Sequence, residues 1–212
     1  MNSKSLKIKV CGMKYSDNLS EVDNLGIDYY GMIFFQGSKR FVGDSKFQSP
    51  NLTAIPVGVF VNQSIDEIKT AKTTFGIKIA QLHGDETPEF CQQVKSTGLQ
   101  VWKVLGISEE SDFKGINAFL NVVDMFLFDT KSPLRGGTGI KFDWNVLQSV
   151  PVGVKFMLSG GINPSDASTI KKLILPGLMG IDLNSKFEVS PGLKNIGLLK
   201  SLPVSPINTF IS

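Results

Sequence analysis

The sequence has little of what metal centres and disulfide frameworks require. Its 212 residues include only two cysteines and one histidine. Cys11 and Cys91 lie far apart and form no CxxC pair, and together with His83 they offer too few soft ligands for a zinc site. The sequence therefore predicts neither a metal centre nor a disulfide, and it favours a reducing compartment, the cytoplasm, as the location.

Long hydrophobic runs and clusters of positive charge are missing as well. No window approaches the roughly 18 consecutive apolar residues of a membrane span, and Met1–Val10 contains no apolar stretch long enough for a signal peptide. The 22 basic residues give a net charge of only +3 and are scattered singly or in pairs. We therefore expect neither a membrane nor a nucleic acid as partner.

The sequence does contain eight short apolar runs, which begin about 22 to 30 residues apart, close to the period of a strand–helix crossover. They are rich in Val, Ile, Leu and Phe, and some, such as IPVGVF (55–60) and MFLFD (125–129), are nearly continuous hydrophobic runs, which is typical of parallel strands buried on both faces. The predicted strands are Lys7–Cys11, Tyr30–Phe35, Ile55–Phe60, Ile79–Leu82, Val101–Leu105, Met125–Phe128, Lys155–Leu158 and Leu178–Leu183.

Helix start signals lie between several of these runs. Ser64 and Glu67 form a capping box, and Asp143 is placed to cap a helix that begins at the next residue. Thr87 and Asn163 each precede a proline, as an N-cap before the first helical position does. The pattern predicts strand then helix eight times over, with a weak helix only in the polar segment 43–50.

Two architectures fit this alternation, a closed (β/α)8 barrel and an open doubly wound sheet. A doubly wound nucleotide-binding sheet should show a GxGxxG fingerprint after its first strand, but here that strand ends in CGMK at 11–14. The glycine-rich turns follow strands six, seven and eight instead, where barrels of this type build phosphate sites. We therefore predict a single (β/α)8-barrel domain over residues 1–212.

In such barrels the functional side chains lie at the C-terminal ends of the strands. Both arginines of the chain, Arg40 and Arg135, fall in these loops, and the paired donors of arginine suit a carboxylate or a phosphate. Gly160 and Gly161, ahead of the helix capped by Asn163, offer backbone N–H groups to a phosphate, although a double glycine also serves merely to turn a chain. An anionic substrate is expected.

Cys11 and Asp129 end strands one and six and are the candidate reactive groups. A thiol at the barrel mouth could be drawn toward thiolate and act as a base, although a cysteine in a buried strand is usually an inert hydrophobe. Asp129 follows an apolar strand, so desolvation should raise its pKa and let it donate a proton near neutral pH. The alternative is that Asp129 caps a turn. His83 is placed for substrate contact or a loop hydrogen bond, and Cys91 for core packing.

The strand-end segments, in their order and spacing, resemble phosphoribosylanthranilate isomerase. The resemblance runs from Lys7 to about Lys200, nearly the whole chain. It is carried by KVCGMK (9–14), GMIFFQGSKRFV (31–42), VGVFVN (57–62), QLHGDE (81–86), FLFDTK (126–131), GGTGIKFDW (136–144), LSGGINP (158–164), IDLNS (181–185) and PGLKN (191–195).

The resemblance implies a cofactor-free barrel that performs an Amadori rearrangement of a phosphorylated small molecule in tryptophan biosynthesis. Asp129 matches the general acid of the family and Cys11 its general base. Arg40 matches an arginine near the anthranilate carboxylate, and Asp182 a residue near the anthranilate portion. The positions that match the phosphate-binding turns are Gly160, Gly161, Asn184 and Ser185.

The sequence departs from the family pattern at two loops. Gln36-Gly37 replaces a proline after strand two, and Lys186 replaces a glycine after strand eight, where its side chain either narrows the phosphate loop or adds a charge that assists binding. Rival interpretations are another sugar-phosphate barrel isomerase and a non-catalytic barrel that binds a phosphorylated ligand. A histidine-pathway isomerase usually works with two carboxylates, whereas strand one here ends in cysteine. Both a monomer and a homodimer are compatible with the sequence.

Overall fold

Eight parallel strands close into a barrel in the computed structural model, which describes residues 6–43, 52–131 and 141–202. Each strand pairs with its neighbours in chain order, and β1 closes the barrel on β8. The predicted (β/α)8 class is confirmed. The strands are β1 Lys7–Cys11, β2 Tyr29–Ile33, β3 Ile55–Phe60, β4 Ile79–Leu82, β5 Gln100–Ile107, β6 Met125–Thr130, β7 Phe156–Leu158 and β8 Leu178–Leu183.

The helical segments that follow the predicted capping residues begin where those signals placed them. Ser64 and Glu67 form the reciprocal capping box, Thr87 accepts from the backbone N–H of Phe90, and Asp143 accepts from that of Asn145. The α-helices are α1 Ser16–Asp23, α2 Ile65–Phe75, α3 Pro88–Ser96, α4 Ala167–Lys172 and α5 Ile196–Lys200.

The expectation of an α-helix after every strand is wrong for two connections. Glu110–Phe119, between β5 and β6, and Trp144–Ser149, between β6 and β7, are 3-10 helices. The first contains one glycine and one each of Ser, Asp and Asn, whose side chains compete for the backbone hydrogen bonds of an α-helix. The weak segment 43–50 falls, apart from Gly43, outside the described residues.

The lower half of the barrel interior is packed with apolar side chains. Tyr29 lies edge-on against Trp102, with 5.0 Å between ring centroids. Since successive strand residues alternate between faces, the same inward face carries Lys9 and Cys11 further up β1. The polar part of the interior is therefore at the C-terminal end of the strands. The apolar cluster comprises Val57, Ile79, Trp102, Val104, Leu127 and Met157.

A short antiparallel hairpin follows β8, and no strand was predicted there. After the 3-10 turn Ser185–Phe187, β9 (Glu188–Ser190) pairs with β10 (Leu193–Lys194). Gly192 turns the chain with φ 91°, a conformation that favours glycine. Across the ranges that the structure describes, no helix has both the length and the apolar character needed to span a bilayer.

Candidate active site

Cys11 is the last residue of β1 and its side chain is buried, with 4% of the residue exposed. Burial raises the pKa of the thiol above its ordinary value of 9.0, and Asp182 adds to the rise, whereas Lys9 and Lys194 oppose it. The expected shift toward thiolate is therefore wrong for the free protein, because desolvation outweighs the nearby cations. The resting group is a neutral thiol with ammonium groups close to it.

Asp129 lies near the end of β6, with 15% of its side chain exposed. Burial raises its pKa to about 6, although a hydrogen bond from the backbone N–H of Thr130 to Oδ1, at 2.8 Å, works in the opposite direction. The predicted rise is confirmed. Nε2 of His83 lies 3.5 Å from Oδ2 of Asp129, so the chain's single histidine stands beside the candidate acid.

Gly160 gives Asp129 the space it occupies. Its φ is 89°, and a Cβ at this position would lie 2.4 Å from Oγ1 of Thr130 and 2.8 Å from Oδ1 of Asp129. Gly161 follows with φ 63°. The predicted phosphate turn therefore lies against the candidate acid, and any other residue at position 160 would displace the carboxyl.

A buried ion pair connects β1 with β8. Nζ of Lys9 donates to Oδ1 of Asp182 at 2.8 Å, with side-chain exposures of 0% and 5%. The hydroxyl of Ser159 lies 3.4 Å from the other carboxylate oxygen. Asp182 was predicted as a site residue, but Lys9 was missed. The alternation in KIKVC, which places Lys9 on the same face as Cys11, is the signal that could have identified it.

Arg40 pairs with a carboxylate of the protein. Its Nε and Nη2 donate to both oxygens of Glu188 at distances between 2.7 and 3.0 Å. Nζ of Lys194 donates to Oε1 of Glu188 at 2.7 Å and to Oδ1 of Asn184 at 2.8 Å. We call these four residues the Glu188 cluster. Its Glu188 and Lys194 were missed because they become neighbours of the site only through the β9–β10 hairpin.

The Glu188 cluster reaches the loop that follows Cys11. Gly12 has φ 77°, and a Cβ there would lie 2.7 Å from Cδ of Arg40 and 2.9 Å from Oδ1 of Asn184. Ser185 begins the adjacent 3-10 turn. Arg40 and Asn184 therefore lie at the barrel mouth and are hydrogen-bonded to other side chains of the protein. Their roles in ligand binding stay predictions.

The predicted residues gather at the C-terminal end of the barrel. β7 pairs with β8 in parallel through Leu158 and Ile181, which places the glycine turn beside the turn of Asn184 and Ser185. Lys186 is exposed. Arg135 and the glycines at 136, 137 and 139 lie outside the described residues. The arrangement brings an acid with a pKa of about 6, a thiol and buried cations to one mouth, which suits the transfer of protons to and from an anionic ligand.

Comparison with known proteins gives one consistent family. The family model described as N-(5'phosphoribosyl)anthranilate (PRA) isomerase matches residues 8–203. An N-(5'-phosphoribosyl)anthranilate isomerase of Parabacteroides distasonis is 41% identical over 199 residues, which cover 92% of this chain and 90% of that protein. One of Phocaeicola vulgatus is 42% identical over 188 residues, covering 89% and 91%.

Solved structures give the same family. The phosphoribosyl anthranilate isomerase of Thermotoga maritima has a TM-score of 0.80 at 27% identity and covers 93% of this chain and 96% of its own. Another phosphoribosyl anthranilate isomerase, in complex with reduced 1-(o-carboxyphenylamino)-1-deoxyribulose 5-phosphate, has a TM-score of 0.76 at 25% identity with the same coverage. Matched along nearly its whole length by the family model and by these relatives, the chain belongs to the N-(5'-phosphoribosyl)anthranilate isomerase family.

Proposed function

We propose that this chain converts N-(5'-phosphoribosyl)anthranilate to 1-(2-carboxyphenylamino)-1-deoxyribulose 5-phosphate, the Amadori rearrangement of tryptophan biosynthesis, with Asp129 as general acid and Cys11 as general base. One observation carries the assignment: a carboxyl whose pKa is raised to about 6 and a buried thiol share one barrel mouth and the same two charged neighbours, Lys9 and Asp182. The relatives are named for their substrate, N-(5'-phosphoribosyl)anthranilate.

Asp129 supplies the first proton in this mechanism. The bond between C1′ and the furanose ring oxygen breaks, its electron pair goes to that oxygen, and the oxygen takes the proton from the Asp129 carboxyl. The nitrogen lone pair forms the C=N bond of a Schiff base at the same time. A carboxyl with a pKa of about 6 is a tenth protonated near pH 7, whereas one at 3.8 is protonated to well under a hundredth.

Cys11 acts in the second half of the reaction. Its thiolate removes the proton from C2′, and the electron pair left behind forms the C1′–C2′ double bond of an enolamine while the C=N electrons return to nitrogen. C1′ then takes up a proton and the C2′ hydroxyl gives up its proton, so that its O–H electron pair forms the C=O bond of the ketone. Because the resting thiol is neutral, the active form of the protein is the minor one in which Cys11 is ionised and Asp129 is protonated.

The remaining predicted residues bind the substrate in this proposal. Backbone N–H groups of the glycine turn and of the turn after β8 face the phosphate, and Arg40, at the edge of the Glu188 cluster, contacts the anthranilate carboxylate. Asp182 lies near the anthranilate portion, and His83 contacts the substrate next to Asp129. The phosphate-binding positions are Gly160, Gly161, Asn184 and Ser185.

We also propose a cellular location, a class of ligand and an oligomeric state for the protein. The protein works in the cytoplasm on a small phosphorylated molecule, with no nucleic acid or membrane as partner, and as a monomer or a homodimer. A solved structure of the Thermotoga maritima relative concerns monomers generated from a dimeric enzyme, which makes the dimer an assembly found in the family. Gel filtration with light scattering distinguishes the two states.

Turnover of the purified protein tests the reaction, and two substitutions test the roles. Conversion of phosphoribosylanthranilate should appear as loss of the anthranilate fluorescence of the substrate. Cys11→Ser and Asp129→Asn should each lower kcat by about 10²–10⁴-fold, the usual contribution of a general acid or base. Both variants should keep the equilibrium affinity for a product analogue.

Cys91→Ala is the matched control for Cys11→Ser, since Cys91 is buried in α3 within the core around the barrel. Its kcat should stay near that of the wild type. A wild-type protein that folds by circular dichroism but does not turn over the substrate would refute the reaction. Near-full activity of both Cys11→Ser and Asp129→Asn would place the acid and base elsewhere.

A further inference from the structure

Lys9 is a fully buried ammonium group that the proposed reaction steps leave unused. It lies on the inward face of β1, two residues before Cys11, with 0% of its side chain exposed. Asp182, across the β1–β8 pairing, accepts its hydrogen bond at 2.8 Å. A buried cation is costly unless it is paired, and a lysine is rarely kept in a barrel interior for packing alone.

The Lys9 ammonium and the Cys11 thiol meet over Gly31 of β2. A Cβ at Gly31 would lie 2.8 Å from Sγ of Cys11 and 3.3 Å from Nζ of Lys9. Sγ of Cys11 and Nζ of Lys9 therefore lie within a few ångströms of each other, in the space that a side chain at position 31 would fill. The Lys9 charge works to lower the pKa of the thiol, and Cys11 in turn works to raise the pKa of Lys9.

Other charged groups lie around this pair. Asp182 of β8 and Lys194 of β10 act on the thiol together with Lys9, and Glu188 accepts a hydrogen bond from Lys194. Lys9 stays protonated: burial favours its neutral amine, but Asp182 and Cys11 keep its pKa above the ordinary value of 10.5. One permanent cation is thus shared between a carboxylate and a thiol.

We propose that Lys9 is a positioning residue that stabilises the thiolate of Cys11, and that the negative charge of Asp182 weakens this stabilisation by offsetting part of the positive charge of Lys9. The inference rests on the proposed role of Cys11 as the base. Loss of the cation makes a buried thiolate harder to form, whereas loss of the Asp182 charge frees the cation and makes it easier to form. The two neighbours therefore have opposite effects.

Titration of the thiolate tests this without relying on turnover. The ultraviolet absorbance of the thiolate is followed against pH in a Cys91→Ala background, and the titration of a Cys11→Ser protein is subtracted to remove the tyrosines. Lys9→Met should raise the midpoint by about 1–2 pH units, the effect of one charge a few ångströms away, which is a 10- to 100-fold fall in thiolate below the midpoint. Asp182→Asn should lower the midpoint.

Lys7→Met is the matched control. Lys7 precedes Lys9 by two residues on the same strand, but 53% of its side chain is exposed and it pairs with Asp28 at the opposite end of the barrel. Its removal should leave the Cys11 midpoint in place. A shift as large as that of Lys9→Met would mean that general charge, and not the Lys9 contact, controls the thiol.

Lys9→Met leaves Asp182 buried without its cation and so puts folding at risk. The double variant Lys9→Met/Asp182→Asn removes both charges, and its midpoint should still lie above that of the wild type, because Lys9 acts on the thiol more strongly than Asp182 does. An unmoved midpoint in a folded double variant, or in folded Lys9→Met, would overturn the inference. If the midpoints move as expected but Cys11→Ser keeps full turnover, the coupling is established and the role of Cys11 as base is refuted.

Discussion

The substitution Asp129→Asn tests whether burial raises the pKa of this carboxyl, because the same burial that prepares it for catalysis acts against folding. At a pH above the pKa of Asp129, the folded protein must hold the charged carboxylate in a largely desolvated position, whereas asparagine at this position carries no charge. The amide keeps an oxygen that can accept the hydrogen bond from the backbone N–H of Thr130, so the substitution changes charge with little change in shape.

The magnitude follows from the two pKa values. A rise from 3.8 to about 6 corresponds to about 3 kcal/mol, the most by which ionised Asp129 lowers the free energy of unfolding. For a raised pKa, the stability contribution is present below 3.8 and is lost as the pH rises through about 6. The free energy of unfolding of Asp129→Asn should therefore exceed that of the wild type by up to about 3 kcal/mol at pH 8, which corresponds to a Tm that is higher by roughly 6–12 °C.

Urea unfolding of both proteins at pH 8 and at pH 4 measures the effect. The difference in the free energy of unfolding should be largest at pH 8 and shrink toward zero at pH 4, where both side chains are neutral. An Asp129→Asn protein that is less stable than the wild type at pH 8, or a difference independent of pH, would show that the carboxyl is not desolvated as the structure indicates.

Asp112→Asn is the control with the opposite sign. Burial works against ionisation there too, but hydrogen bonds from Lys131 and from the backbone N–H groups of Ser108 and Glu109 lower the pKa of Asp112 to about 2. For a lowered pKa, the stability is present above 3.8 and is lost as the pH falls through about 2. Asp112→Asn should therefore lower the stability at pH 8, by an amount that solvent screening reduces.

Two further predictions concern the geometry and the ionisation of the site. Gly31→Ala should lower kcat at least tenfold with a small fall in Tm, because the added Cβ would lie 2.8 Å from Sγ of Cys11 and 3.2 Å from Cα of Cys11. Gly115→Ala is the control and should leave kcat unchanged, since no atom lies within 4 Å of its added Cβ. Equal kcat values for the two variants would contradict the crowding of Cys11. The pH profile of kcat/KM should rise to about pH 6, stay level, and fall above the pKa of Cys11, because the active form needs protonated Asp129 and ionised Cys11. A rate that falls steadily from pH 6 upward would show that no thiolate is required.

Much of the barrel could be predicted from the sequence because its strands are buried on both faces. The bounds of β1, β3, β4 and β8 coincide with apolar runs, since such runs end where the chain leaves the core. The 3-10 helices after β5 and β6 were predicted as α-helices because the periodicity of apolar residues separates the two forms poorly over a few turns. The β9–β10 hairpin is too short to give a strand pattern.

The site was predictable where function depends on a strand end and not where it depends on pairing between distant residues. Cys11 ends β1 and Asp129 follows the apolar residues of β6, so their position at the mouth could be inferred from the fold. The pair between Lys9 and Asp182 joins residues 173 apart in the chain, and that between Arg40 and Glu188 joins residues 148 apart. One sequence gives no register between such segments, so these ion pairs become visible only in the structure.

The closure of β1 on β8 also has a consequence for the order in which the protein acquires its chemistry. The ribosome releases the N-terminal part of the chain first, with Lys9 and Cys11 in it, and the strand that carries Asp182 comes last among the eight. Until β8 is in place, Lys9 lacks the carboxylate with which it forms its buried ion pair. Because an unpaired buried cation is costly, the nascent barrel keeps Lys9 hydrated. The charge that surrounds Cys11 is thus a property of the finished chain, and no N-terminal fragment ending before β8 carries it.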